Sequence, residues 1–225
     1  MCGRFSLSQD FKKILRQFGI DEEFFSIWKP RYNIAPSDQI PVIFHDEEKI
    51  KAGFFKWGLI PHWAKDQKIG YKMINARAET LVEKPSFKSC FKNKRCLIPA
   101  DGFYEWKVEA HKKQPYYIHM KDNSPFFFAG LWSLWLDSKG NDIHSCTIIT
   151  GLPNKLIEML HNRMPVILPT SVCEAWLNPA NHNLKDLQKY LKPYPEKDME
   201  IHPVSTIVNS PRNDLPACRK PQTTE

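Results

Sequence analysis

Cys2 stands second in MCGRF, and that place gives it chemistry open to no interior cysteine. Once Met1 is removed, as is usual before a small second residue, Cys2 carries a free α-amine and a thiol on adjacent carbons. An aldehyde condenses with such an amine to an imine, and the thiol then closes a five-membered thiazolidine. An α-amine with a pKa of about 7.7–8.0 is roughly one-tenth neutral at pH 7, whereas lysine at ~10.4 is almost wholly protonated. The competing chemistry is attack of a thiolate on an ester or amide, which needs a base to raise the few per cent of thiolate present at neutral pH. Both chemistries want a Glu or His close in space. Without such company, Cys2 reads as a small buried thiol.

Candidate company lies in compact, turn-like clusters: PRYNIAPSD (30–38), WGLIPHWAKD (57–66), MINARAET (73–80), CLIPADGFYEW (96–106) and HNRMPVIL (161–168). Only eight arginines stand against twenty-four lysines, yet Arg4, Arg31, Arg77, Arg95 and Arg163 fall in or beside these clusters. Arginine is the better fork for phosphate, so this distribution favours an anion-binding face. Glu105, among Phe103, Tyr104 and Trp106, is expected to be buried with a raised pKa. His161 follows the apolar LIEML run and also reads as a helix-end histidine. His62, His119, His144 and His202 read as structural, and Trp63 is the one tryptophan expected to be exposed enough to meet a base.

These residues need a scaffold. Ser8 reads as an N-cap before Phe11, Ile14, Leu15 and Phe18 at helical spacing, with Gly19 closing the helix. Strand-like runs follow at 40–45, 50–57, 115–120, 125–132, 143–150 and 165–168, with turns at Asp122-Asn123 and Lys139-Gly140-Asn141. Helical signals return at 153–161, 171–177 and 183–191. The expected fold class is α+β, built on a mainly antiparallel, barrel-like sheet with flanking helices. One domain over residues 2–217 is expected, with 218–225 a loose polar tail.

The net charge of +7 suits a polyanionic partner, and plain solubility explains it equally well. No run approaches the ~18 apolar residues of a membrane span, and the N-terminus lacks a secretory signal, so a cytosolic monomer with six free thiols is expected. No C-x-x-C occurs, and no metal or cofactor is called for.

Taken together, MCGRF (1–5), RYNIAPSDQIPVI (31–43), WGLIPHWAKD (57–66), INARAET (74–80), CLIPADGFYEW (96–106), AGLW (129–132), HNRMPVIL (161–168) and HPVS (202–205) resemble the SOS response-associated peptidase (SRAP) family. The resemblance runs in order from Met1 to about Asn209. It implies a cleft for single-stranded DNA and a covalent cross-link to abasic sites, whose ring-opened sugar is an aldehyde. Replication machinery is a possible further partner. Cys2 matches the family's nucleophile, Asn75 its active-site asparagine, Glu105 its proton-shuttling acid and His161 the histidine of sugar ring opening. Arg77 and Arg163 match arginines that hold DNA phosphates. Arg4, Asn33, Pro36, Trp63 and Thr150 fall in motifs that line the cleft, Pro36 and Trp63 as a wedge between bases. The chain departs from the family pattern at GLPN (151–154) and at Ala64. Two other readings stay open: a thiol peptidase that removes its own leader, and a noncovalent reader of modified or single-stranded DNA.

Overall fold

The computed structural model describes residues 2–9, 15–16, 18–20, 28–46, 48–109 and 112–222. In chain order the first strands are β1 (Phe5–Leu7), β2 (Arg31–Ile34), β3 (Gln39–His45), β4 (Ile50–Trp57) and β5 (Asn75–Arg77). Helix α1 (Pro85–Asn93) leads into β6 (Arg95–Ala100), β7 (Gly102–Glu109), β8 (Lys112–Met120), β9 (Phe126–Leu136) and β10 (Asp142–Gly151). The remainder comprises α2 (Lys155–Glu158), β11 (Met164–Pro165), β12 (Ile167–Leu168), α3 (Thr170–Leu177), α4 (Leu184–Lys189) and β13 (Met199–Pro203).

Strands β10, β4, β3, β6 and β9 follow one another by hydrogen bonding, and β9 pairs back onto β10, so the five close into a barrel. Closure removes the free edges that an open sheet of this apolar content would expose. The barrel is antiparallel except where β10 meets β4, and β5 also joins β10 in parallel. Residues 126–133 of β9 are buried without alternation. One of its faces fills the barrel and the other takes α1, whose Phe87, Cys90 and Phe91 form the buried stripe. A second sheet, in the order β13-β8-β7-β1-β2, carries the N-terminal strand between two neighbours.

Several expectations need correction. The CLIPADGFYEW cluster is not a turn; it is strands β6 and β7 on either side of Asp101. The expected strand at 165–168 is two two-residue strands, one pairing β10 and the other β9. The helix expected over 153–161 is confined to Lys155–Glu158, begun by Asn154, whose side chain accepts from Ile157 N–H at 3.0 Å. Helix α1 has no counterpart among the expected helical runs, because KPSFKSCFKN (84–93) is polar apart from one narrow face. The expected first helix lies mostly outside the described residues; Leu15 and Phe18 are buried, and Gly19 takes φ 64°. Ser8 donates its N–H and hydroxyl to Asp101 at 2.6 and 2.7 Å. All six cysteines are free and buried. No helix among the described residues is long and apolar enough to cross a membrane.

Residues 218–222 are also not a loose tail. Cys218 is fully buried, Val204 bridges Pro221, and Gln222 N–H reaches Pro203 O at 2.9 Å. Residues 208–214 are riveted across β2. Asn33, fully buried, accepts from Arg4 Nη1 at 2.8 Å and shares its amide hydrogens among the carbonyls of Val208, Ser210 and Asn213 at 3.1, 3.0 and 2.8 Å. Asp214 accepts from the N–H groups of Tyr32 and Asn33 and from Arg31. Removing Asn33 strands buried carbonyls and the Arg4 fork together. Asn33→Ala is therefore expected to cost about 2–4 kcal/mol in denaturant unfolding, at the upper end for a single polar group; a loss below ~0.5 kcal/mol contradicts this role for Asn33.

Candidate active site

Cys2 is fully buried at the head of β1. Phe5 pairs with Phe103, and Tyr104 N–H donates to Arg4 O at 3.0 Å. Continuing this antiparallel register sets Gly3 opposite Glu105 and Cys2 opposite Trp106, and the Glu105 charge acts on the Cys2 thiol. Glu105 is 3% exposed, and burial raises its carboxyl pKa. It pairs across the sheet with Tyr116, so alternation puts it on the face opposite Tyr104 and Tyr117. The Cys2 thiol pKa is pushed far up, first by burial and then by the nearby Glu105 charge. The sulfur is therefore held as a thiol.

Asn75 approaches from the barrel. Its Nδ2 donates to Cys2 O at 2.8 Å, while its buried Oδ1 finds no hydrogen-bond partner among the described residues. Pairing of Asn75 with Ile148 sets the strand, and Trp57 Nε1 holds the preceding Ile74 carbonyl at 2.9 Å. The side-chain amide thus has one end anchored to the backbone of Cys2 and one acceptor left over.

Two residues along β5, Arg77 pairs with Thr150, which also pairs with Pro165 of β11. This junction collects the HNRMP segment. Arg163 N–H donates to His161 Nδ1 at 3.0 Å, so neutral His161 carries its proton on Nε2. Burial lowers the His161 pKa, with neighbouring positive charge adding to the effect, so the ring is neutral at pH 7. Arg163 makes a two-pronged bond to Glu79, Nη1 to Oε1 at 2.8 Å and Nη2 to Oε2 at 2.9 Å, and Nη2 also reaches Thr150 O. Arg77 is exposed and makes no side-chain hydrogen bond or ion pair among the described residues.

The remaining candidates divide sharply. Thr150 is fully buried and presents its carbonyl to Arg163. Asn33 and Arg4 are spent on the C-terminal segment, with Arg4 also donating to Val208 O and Asn209 O at 2.8 and 3.1 Å. Both position β1, and neither offers a free donor fork. Arg95, 3% exposed, likewise serves the carbonyls of Phe91, Lys92, Trp176, Asn178 and Asn181. Arg31 is held by Asp38 and Asp214. The clustered arginines are thus mostly internal struts, and a broad anion-binding face does not form from them.

Pro36 sits in a β-turn closed by Asp38 N–H on Ala35 O at 3.2 Å, with Ser37 at φ 78°, a position that glycine or asparagine ordinarily fills. Hydrogen bonds from Ser37 N–H to Trp57 O and from Trp57 N–H to Asp38 O hold this strained turn rigid. Trp63 is 51% exposed, the most exposed tryptophan described. Its loop is pinned where the backbones of Gly58 and Gly70 meet so closely that a Cβ on Gly58 would lie 2.6 Å from Gly70 O. Sequence reasoning missed Glu79, although it lies within the quoted INARAET, and missed Trp57 and Asp214. A cavity of about 670 Å³ lies elsewhere, lined by Tyr117, His119, His202 and Arg219 on the far face of the second sheet. Among the described residues no cluster of His, Cys, Asp and Glu forms a metal site.

The chain is 51% identical over 218 residues to the abasic site processing protein YoqW of Bacillus subtilis (strain 168), covering 96% of this chain and 97% of that one. It is 34% identical over 223 residues to the abasic site processing protein HMCES of Xenopus tropicalis, covering 85% of this chain and 66% of that protein. A crystal structure of a Bacteroides thetaiotaomicron protein superposes with a TM-score of 0.88 at 31% identity, over 99% of this chain and 100% of that one. The family model for SOS response associated peptidase (SRAP) matches residues 1–211, and the chain belongs to that family.

Proposed function

We propose that this protein processes abasic sites in DNA, binding single-stranded DNA and trapping the ring-opened abasic sugar as a thiazolidine on Cys2. The observation that carries the reading is the setting of Cys2, buried between an asparagine that grips its carbonyl and a buried carboxyl of raised pKa. The names of YoqW and HMCES as abasic site processing proteins support the substrate class.

The chemistry follows from the groups. With Met1 gone, the neutral α-amine of Cys2 adds to the sugar aldehyde at C1′ to give a carbinolamine. Loss of its hydroxyl as water needs a proton, which the raised pKa of Glu105 keeps available nearer neutrality than an ordinary carboxyl would. That loss leaves an iminium beside the Glu105 carboxylate; the Cys2 sulfur then adds to the iminium carbon, and the thiol proton passes to Glu105 and restores the acid. One water is lost overall. Asn75 Oδ1 is free to accept from a sugar hydroxyl or the amine, fixing the reacting end. Neutral His161 offers Nε2–H to the sugar ring oxygen as the hemiacetal opens. Arg77, with no side-chain hydrogen bond or ion pair among the described residues, supplies a cation for a phosphate, and the rigid Pro36 turn with exposed Trp63 suits a wedge beside the lesion.

The thiol peptidase reading fits the site less well. A peptidase wants a thiolate, whereas burial and Glu105 both disfavour charge on the Cys2 sulfur. A noncovalent reader would need no sulfur at all.

Incubation with single-stranded DNA bearing one abasic site should give an intact mass equal to protein plus DNA less one water. Cys2→Ala should give none that survives heating; an equally stable adduct from that variant excludes the thiazolidine. The rate of adduct formation should rise with pH as the amine loses its proton and fall again as Glu105 loses its own. Glu105→Gln is expected to slow the reaction by about 10²-fold or more and to level off at high pH instead of falling. Persistence of the alkaline fall in that variant assigns the acid elsewhere.

A further inference from the structure

Arg163 is matched to a phosphate-holding role, yet its fork is already filled by Glu79. We propose that Glu79 is an internal stand-in for a DNA phosphate, occupying the Arg163 fork in the DNA-free protein and giving it up to a phosphodiester when a strand enters. The inference rests on the DNA-binding reading above and concerns how that site is kept before DNA arrives.

Geometry and exposure set which partner moves. A carboxylate and a phosphodiester both present two oxygens that match the planar guanidinium fork. The Arg163 side chain is 13% exposed and further tied to Thr150 O, whereas that of Glu79 is 47% exposed. Exchange therefore requires only the carboxylate to swing, with the guanidinium staying in place. The Glu79 carboxylate has room to move, since it borders a cavity of about 280 Å³ that Gln188 and Lys192 also line. Arg163 holds the Glu79 carboxyl below the usual carboxylate range, so the swap is anion for anion at neutral pH.

The exchange also touches the reacting centre. The residue that would grip the phosphate is the one whose backbone N–H fixes the His161 tautomer. While Glu79 holds the fork, the HNRMP segment keeps this arrangement without DNA. Exposed Arg77, whose charge also acts on Glu79, would meet the strand first. Glu79 thereby discriminates against weak anions, because only a ligand that also engages neighbouring groups such as Arg77 can displace it.

The test uses single-stranded DNA carrying a tetrahydrofuran abasic analogue, which has no aldehyde, so binding is read apart from cross-linking. Glu79→Gln should bind it several-fold tighter than wild type with a similar logarithmic salt slope, because both complexes end with the same Arg163–phosphate contact and differ only in the carboxylate that must be displaced. The gain should vanish in an Arg163→Gln background and be absent in Glu83→Gln, a control for loss of a nearby exposed carboxylate. Equal or weaker binding by Glu79→Gln, or a gain that persists without Arg163, overturns the proposal and makes Glu79 a structural anchor. In the unmutated protein, saturating oligonucleotide should shift the ¹⁵N resonances of the Arg163 guanidinium, and unchanged resonances overturn it too. If no protein, wild type included, binds the oligonucleotide, the DNA-binding reading itself has failed.

Discussion

The chemistry proposed at Cys2 depends on an N-terminal strand being an interior strand. Chain ends fray unless something holds them, and a reacting group on a fraying end has no fixed geometry. Here β1 lies between β2 and β7, and its Arg4 is locked through Asn33 to carbonyls near the other end of the chain. Asp214 fastens the same segment to β2. The polar groups in this lock are largely buried and satisfied, which makes the arrangement specific as well as stable. The C-terminal segment therefore supports the proposed active site mechanically, although it contributes no reacting group.

That rigidity allows the site to combine groups that would otherwise work against each other. A buried carboxyl beside a buried sulfur keeps the sulfur protonated, a poor arrangement for a nucleophilic thiolate. It is a workable one when the amine reacts first, because the thiol is then needed only to close a ring on a carbon already attached to the same residue. Ring closure is intramolecular, so proximity replaces thiolate character as the source of rate. In the proposed reaction the neutral, tautomer-fixed His161 and the half-satisfied Asn75 amide likewise suit proton and hydroxyl handling rather than charge stabilisation.

Local patterns made much of the barrel legible. The 50–57 run is β4, residue for residue, because its apolar residues and β-formers are bounded by the charged DEEK (46–49) before and by Gly58 after. The 171–177 helix is likewise found within one residue. Legibility failed where long-range burial overrode local character: CLIPADGFYEW looks like a turn, but β3, β9, β8 and β1 pair with its two halves. At the site, Glu105's burial was readable from its aromatic neighbours. The fates of Arg4, Arg31, Arg95 and Arg163 were not, because their acceptors are set by tertiary contacts such as Glu79, 84 residues from Arg163. Residue type alone does not separate an arginine that holds phosphate from one that holds carbonyls. The Glu79–Arg163 pair stands between those categories, since one fork fits both anions.

The central claim is that nitrogen and sulfur of the same residue react together. It is tested most directly by leaving the sulfur intact and blocking the nitrogen: protein whose Cys2 amine is formylated or extended by residues that are not removed, incubated with abasic single-stranded DNA and weighed intact. The account predicts no stable adduct from the blocked protein and a full adduct, lighter by one water than the sum of its parts, from the chain beginning at Cys2. A stable adduct of the same mass from the blocked protein would contradict it.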